Sequence, residues 1–570
     1  MHFTREDLVI NALVGASLSD CIKAAGLALE APCNGLGLCG KCRVKAWGDL
    51  YPPEALENGF INAADVRLAC LARVRGEVWI ELPSKGHSLK TINQGYAIEV
   101  AVDSRVKQVR LPPLERTVQP YLERLPYRTG SADLYRKMGQ FERVGASQLY
   151  GVLMDDRLID LKSEPGEILG VAVDIGTTGI SAYLLDLATG EILQKASCLN
   201  PQTEFGSDVL SRISYCLENS QGPDQLRTSI VGKLNQLVLD LTGESSRAKS
   251  VYQVVIAGNT TMLHFVLGVH PGSIARAPYR PVFLEKVDLI ANEVGFLINL
   301  EGRVTLLPSA SGYVGADILA GLVATAFDKK DYHAIFLDIG TNGEIVANFG
   351  DRLIATSTAA GPALEGMNIS CGCRAEEGAI DTFFIDDQFE LHFTTIGGTS
   401  PKGICGSGLI DITAAMIKRQ LVLASGRFNP DLDPLLKAKV RDKKFYLTDD
   451  IYISQKDIRQ LQLAKGAISA GVTLLLEEAD IPLGAIEEAV IAGAFGYHIN
   501  PDSLREIGFL PEGFQGKITF VGNSSAEGAR LALINQGVMA QIQELKTRIE
   551  VLELSTNTHF QDYFVKALGF

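Results

Sequence analysis

At 570 residues the chain is several times longer than a usual domain of about 100–200 residues, so two to four domains are expected. A formal net charge of −14, spread along the chain, argues against a nucleic-acid binder, which would carry a basic patch. The opening MHFTREDLVI lacks a basic segment followed by an apolar run, and no stretch reaches 18 uninterrupted apolar residues, so a cytoplasmic protein with no membrane contact is expected.

Residues 1 to 84 form the first unit, with a helical pattern in SLSDCIKAAGLA and strand-like stretches KCRVKAWG and GEVWIELP. Ten cysteines are few for this length, yet Cys21, Cys33, Cys39, Cys42 and Cys70 all fall in this unit, a clustering that suits ligation better than a disulfide scaffold. The spacing Cys33-x5-Cys39-x2-Cys42-x27-Cys70 approaches the plant-type [2Fe–2S] pattern of Cys-x4-Cys-x2-Cys with a distant fourth cysteine. One extra residue in the first loop departs from that pattern and resembles the adrenodoxin-like variant. Gly35, Gly37 and Gly40 let the loop wrap closely and aim amide N–H groups at sulfur. Zinc is the alternative, because four thiolates also suit Zn²⁺, although zinc ribbons usually bring two Cys-x2-Cys knuckles and RLAC offers a single cysteine. Cys21 lies on the helical pattern and is expected in the core, while Cys371, Cys373 and Cys405 read as small core or loop residues.

Residues 85–165 comprise a polar connection and a small mixed domain, from AIEVAVDSRVKQVRL to ASQLYGVLMDDRLIDL, and KSEPGE is a turn-rich break before a long α/β region. That region contains an internal repeat. LGVAVDIGTTGISAYLLD at 169–186 and HAIFLDIGTNGEIVANFG at 333–350 share a buried strand, the tetrad Asp-Ile-Gly-Thr and a second strand. Each is followed by Val-Ile-Ala-Gly, in VVIAGNTTM or AVIAGAFGY, and then by a small-residue helix, in SASGYVGADILAGLVA or GNSSAEGARLALIN. Three elements in one order, twice, imply two duplicated subdomains, 166–332 and 333–570, facing each other across a cleft. An insertion-like stretch at about 366–460 lengthens the second copy.

In DIGTTG and DIGTNG a buried strand runs into a carboxylate, a glycine turn and hydroxyl or amide groups. Glycine lets backbone N–H groups approach phosphate oxygens, Thr adds hydroxyl donors, and Asp at a strand end can hold Mg²⁺ directly or through water. One such loop is also a common plain turn; two equivalent copies favour phosphate. Gly493 and Gly496 after a buried strand suit either a flat-lying adenosine or a tight strand-to-helix turn, and the two readings are compatible.

The order of phosphate loop, connecting helix, second phosphate loop, adenosine glycines and second connecting helix resembles the acetate and sugar kinase/Hsc70/actin superfamily. More closely, VDIGTTG, LDIGTNGEI, AAGPALEGMNISCG, GICGSGLID and SQKDIRQLQLAKGAI together resemble the reductive activators of corrinoid enzymes, over essentially the whole chain. The resemblance implies a multidomain α/β and α+β protein: an N-terminal β-grasp ferredoxin-like domain, a small middle domain and a C-terminal duplicated actin/acetate-kinase-like domain. It assigns Asp174, Gly176, Thr177 and Thr178 to the first phosphate loop, and Asp338, Gly340, Thr341, Asn342 and Gly343 to the second. Gly493 and Gly496 take the adenosine position, and Gly361 and Glu365 line the cleft. Asp174 and Asp338 are the catalytic carboxylates, with Glu344 and Glu365 as candidates to orient the attacking water; Glu365 equally suits a helix start, where the dipole favours a carboxylate.

The same resemblance implies a [2Fe–2S] cluster, ATP and Mg²⁺ as cofactors, a low-potential electron donor, and a corrinoid protein as partner. That partner is either a methyltransferase corrinoid subunit or a corrinoid iron–sulfur protein, and a homodimer is implied. A plant-type cluster sits near −400 mV, above the potential needed to take Co(II) to Co(I). For one electron each 59 mV is a factor of ten, so nucleotide binding must supply the difference through unequal affinity for two states. The alternative is a small-molecule kinase of the same superfamily with a redox-sensing iron–sulfur domain.

Overall fold

The computed structural model describes the chain apart from residues 6, 7, 26, 28, 30–41, 55, 58–62, 64, 83–96, 115, 116, 494–498, 555 and 556. The N-terminal unit is a five-stranded sheet in the order Leu8–Val9, His2–Phe3, Val74–Glu81, Arg43–Leu50, Val66–Leu68. His2–Phe3 runs parallel to Val74–Glu81 while the other pairs are antiparallel, the strand arrangement expected of a β-grasp. The helix Leu18–Ala24 starts where the Ser17 side chain accepts from the Asp20 N–H. It buries Leu18, Cys21 and Ile22 in a core with Phe3, Val44, Leu68, Val78 and Ile80.

The middle unit is an antiparallel sheet of Val106–Arg110, Tyr150–Met154 and Arg157–Lys162, covered by the helix Ala132–Val144. Its own small core contains Leu111, Leu122, Leu134, Met138, Leu149 and Leu161. The first part of the alternating stretch, ahead of Val106, does not join this sheet. Residues 98–103 instead lie against the larger body: the Ile98 N–H donates to the Ala324 carbonyl at 2.9 Å, and the Asp103 N–H to that of Ile534 at 2.8 Å.

The body holds two six-stranded sheets of matching topology. One is ordered Ile192–Leu199, Gly179–Asp186, Leu169–Ile175, Val251–Gly258, Arg303–Leu306, Val287–Ile290. The other runs Leu353–Thr358, Gly343–Asn348, Ala334–Ile339, Glu488–Ala492, Lys517–Gly522 from its third neighbour inward, with Ile549–Val551 added beside Leu353–Thr358. In each, an antiparallel three-strand meander is followed by parallel strands, so the Val-Ile-Ala-Gly segments lie beside the phosphate-loop strands in both copies. Strands with apolar side chains on both faces, such as Val251–Gly258, are buried along their whole length, as parallel strands between helices require.

The helices Ala316–Ala324 and Ser524–Ile534 pack against one another between the halves. Their small residues have a steric cause: a Cβ on Gly528 would lie 2.2 Å from the Ala320 carbonyl oxygen, and one on Gly321 would lie 2.6 Å from Ser524 Oγ. The insertion at 366–460 supplies two further three-stranded sheets and the helix Gly406–Lys418. Among the described residues no helix is long and apolar enough to cross a membrane.

Candidate functional site

The two Asp-Ile-Gly-Thr hairpins face one another across a cleft of about 1330 Å³, counting its open mouth. Asp174, Gly176, Thr177, Thr178, Asp338, Gly340, Thr341, Asn342, Glu344, Glu365 and Gly493 all line it. Gly343 and Gly361 stand one step back. Gly343 is packed so that a Cβ would meet Ile468 Cγ1 at 3.0 Å, and the Gly361 N–H donates to the Thr341 carbonyl at 2.9 Å, supporting the second loop from behind. Gly496 lies outside the described residues.

The two loops differ by one residue. Ile175 pairs with Ile180, leaving four residues in the first turn, whereas Ile339 pairs with Gly343, leaving three in the second. A one-residue change in a hairpin moves side chains to the opposite face. Glu344 therefore stands directly across from Asp338, at the place that Ser181 takes beside Asp174 in the first copy.

Asp174 is held in place by the opposite half: Asn523 Nδ2 donates to it at 2.9 Å and Ser525 Oγ at 2.8 Å. Both come from the start of the helix Ser524–Ile534, where the Asn523 side chain also caps the helix by accepting from the Ala526 N–H. Asp317, in the first turn of the helix Ala316–Ala324, brings another carboxylate to the cleft. Burial raises Asp174 despite its two donors. Burial, then the charges of Asp174 and Glu365, push Asp338 up to about 7. Burial, then Asp338 and Asp174, raise Asp317, and burial, then Asp317 and Asp338, hold Glu344 well above the ordinary carboxylate range. These side chains cannot all be ionised together unless a cation joins them. Among the described residues no three such groups are close enough to grip one ion directly.

Behind the first loop, the fully buried Arg212 donates to the carbonyls of Thr177 at 2.5 Å and Gly206 at 2.9 Å, and to the Met262 sulfur. Asn200 donates to the Gly176 carbonyl at 2.8 Å, and Asn259 to Thr177 Oγ1 at 3.3 Å. Glu365 ends a short 3-10 turn, Pro362–Glu365, rather than starting a helix.

In the N-terminal unit Cys42 and Cys70 are buried with their Sγ atoms 3.2 Å apart. That is well beyond the ~2.05 Å of a disulfide and is the contact of two hydrogen-bonded thiols. Cys33 and Cys39, with Gly35, Gly37 and Gly40, lie outside the described residues. Cys21 is core, as expected, and Cys405 is buried with its thiol donating to the Ile380 carbonyl.

Asp317, Asn259, Asn523, Ser525 and Arg212 were not among the residues expected from the sequence. The small-residue helices carrying Asp317 and Ser525 are visible as part of the repeat, and a polar residue in the first turn of each was the available signal.

Two hydroxyl-bearing hairpins facing each other between duplicated α/β halves, each half sending a helix from the cleft, define an enzyme body of the acetate and sugar kinase/Hsc70/actin class. Family models agree: residues 333–570 match the C-terminal ASKHA domain of RACo and residues 169–330 the RACo middle region. The corrinoid activation enzyme RamQ of Eubacterium limosum is 31% identical over 583 residues, spanning 96% of this chain and 95% of that protein. The [Co(II) methylated amine-specific corrinoid protein] reductase of Methanosarcina barkeri is 26% identical over 436 residues, 70% of this chain and 77% of that one. A solved reductive activator for corrinoid, iron–sulfur protein superposes with a TM-score of 0.77 at 32% identity, covering 98% of this chain and 96% of the other. The chain belongs to the family of reductive activators of corrinoid proteins.

Proposed function

We propose that this chain is an ATP-driven activase that reduces the inactive Co(II) state of a corrinoid protein to Co(I) by one electron. The observation that carries this reading is a paired-thiol β-grasp unit joined to a two-loop cleft, in a chain 31% identical along 96% of its length to a corrinoid activation enzyme. The proposed division is 1–84 for the cluster unit, 85–165 for linker and middle domain, and 166–332 with 333–570 for the two halves of the ATPase.

In the cleft, Gly176, Thr177, Thr178, Gly340, Thr341 and Asn342 offer N–H, hydroxyl and amide donors to phosphate oxygens, and Gly493, with Gly496, accommodates the adenosine. Asp174 is aimed by Asn523 and Ser525, and Asp338 and Asp317 complete the acidic wall that Mg²⁺ neutralises. Glu344 and Glu365 remain the candidates to orient the attacking water. Of these, Glu344 is the one that burial and then the carboxylates of Asp317 and Asp338 hold well above the ordinary carboxylate range.

The cysteine pair fits a cluster: two buried thiols in contact, with Cys33 and Cys39 at ligand spacing ahead of them in the sequence. Cys33, Cys39, Cys42 and Cys70 would hold a [2Fe–2S] cluster, which when bound supplies a single low-potential electron. Cys42 immediately precedes the strand Arg43–Leu50 and Cys70 closely follows Val66–Leu68, and both pack in the core with Val44 and Leu68, which supports that assignment. Partners are a corrinoid protein, either a methyltransferase subunit or a corrinoid iron–sulfur protein, and a low-potential donor in the cytoplasm, with the chain acting as a homodimer.

The test is to incubate the protein with a reductant, a Co(II) corrinoid protein and Mg-ATP while following Co(I) absorbance. An ATP-dependent signal is expected, and its absence across several corrinoid partners, or a phosphorylated small molecule in its place, overturns the reading. Cys42→Ser should abolish Co(I) formation while leaving ATP hydrolysis within about twofold, since its sulfur lies in a core separate from both halves of the cleft.

A further inference from the structure

One side chain ties the two phosphate loops together. Glu365 Oε2 accepts from Thr178 Oγ1 at 2.6 Å and Oε1 accepts from Thr341 Oγ1 at 3.1 Å. Thr178 belongs to the first half and Thr341 to the second, so a single carboxylate bridges the cleft. It also lies against the loop backbone, where a Cβ on Gly340 would stand 3.3 Å from Oε1. Chemically, this is an anion with two oxygens receiving two hydroxyl donors between glycine turns, the same demand that a phosphate makes on them.

A buried cation behind the first loop also favours negative charge at this point. Arg212 is wholly buried behind the first loop, with its guanidinium spent on two carbonyls and a thioether. A buried cation in that setting is costly without nearby negative charge. The charges it feels are those of Asp208 and Glu365.

The segment carrying Glu365 is bounded by two glycines. The Pro362–Glu365 turn lies between Gly361 at φ 76° and Gly366 at φ 73°, both in the left-handed region. Gly361 is hydrogen-bonded to Thr341 of the second loop, and Gly366 is pressed onto the next stretch, where a Cβ would fall 1.9 Å from the Cys373 carbonyl oxygen. Arg374 and Ala375, immediately beyond, line the cleft again.

We propose that Glu365 discriminates nucleoside triphosphate from diphosphate: its carboxylate and the terminal phosphate compete for the hydroxyls of Thr178 and Thr341, so the triphosphate engages both loops only by releasing the Pro362–Glu365 turn. This rests on the cleft being the ATP site. The released carboxylate is left beside the terminal phosphate, and the turn pivots on its two glycines, carrying phosphate occupancy into residues 367–375. A diphosphate, lacking that group, leaves the bridge in place.

The test is calorimetric titration of the full chain and of Glu365→Ala with Mg²⁺ and either ADP or a non-hydrolysable ATP analogue. Removing the competitor should tighten the triphosphate analogue by about tenfold, the scale of a charge-assisted hydrogen bond, and leave ADP within about twofold. Equal shifts for both nucleotides, or a triphosphate affinity that is unchanged or weakened, overturn the proposal. If Glu365→Ala fails to fold, Glu365→Gln serves instead, with the same sign and a smaller shift. Amide hydrogen exchange over residues 361–375 should rise with the triphosphate analogue and not with ADP; no difference between the nucleotides counts against the proposal. An unaltered chain that binds neither nucleotide overturns the ATP site itself, whereas binding without discrimination at residue 365 overturns this inference alone.

Discussion

Glu488 shows how one buried side chain can be read as a stability term. It begins the strand that leads to Gly493, and its carboxylate receives Lys330 Nζ at 2.7 Å, the Tyr332 hydroxyl at 2.7 Å and Thr519 Oγ1 at 2.6 Å. Burial alone would raise its pKa, but those donors outweigh it and hold the group at about 2, below the ordinary 4.5. A carboxylate depressed on folding stabilises fully above its unfolded value and loses that contribution as pH falls through the folded one. Glu488→Gln should therefore cost about 1–3 kcal/mol near neutral pH. In denaturant melts the two proteins should converge as pH is lowered through 4.5 towards 2; a gap that stays constant would show that Glu488 acts through packing alone. At this scale the sequence was most informative where function is local. Asp174, Asp338 and their threonines stand beside the glycines that betray them, and they do share a cleft. Asn523 and Ser525 also follow a glycine, Gly522, but their role depends on Asp174, 349 and 351 residues away along the chain.

Among the elements, the crossing of Ala316–Ala324 with Ser524–Ile534 makes a tight steric demand. Gly528→Ala would place a methyl 2.2 Å from the Ala320 carbonyl oxygen, a backbone atom that cannot turn aside. Overpacking of this kind costs about 1–3 kcal/mol. Because the two helices begin with Asp317 and with the Asn523 and Ser525 that hold Asp174, the variant should also bind nucleotide more weakly, measured by titration beside a thermal melt. Lost stability with unchanged nucleotide affinity would separate the crossing from the site. The duplication was legible from three recurring segments, but the two hairpins were not equivalent in detail. Aligning the tetrads sets Glu344 against Ile180, whereas strand pairing sets it against Ser181, because the second turn is one residue shorter. Register is a property of paired strands, so a single strand's sequence does not disclose it.

For the whole molecule, the separation of cores predicts separable activities. The buried cluster of the N-terminal unit shares no residue with those of the two halves of the body. Removal of residues 1–84 should leave ATP hydrolysis and abolish Co(I) formation, assayed on the same preparation; loss of hydrolysis as well would make the N-terminal unit part of the ATPase fold. The cut must stop short of residue 98, for a reason that reaches further. Residues 98–103 touch both connecting helices at the ends remote from the cleft, through Ala324 on one and Ile534 on the other. The heads of those helices carry Asp317, Asn523 and Ser525. Each helix thus joins the cleft at its head to residues 98–103 at its tail, so that a displacement of one helix along the other at the Gly321 and Gly528 crossing would be felt by that segment.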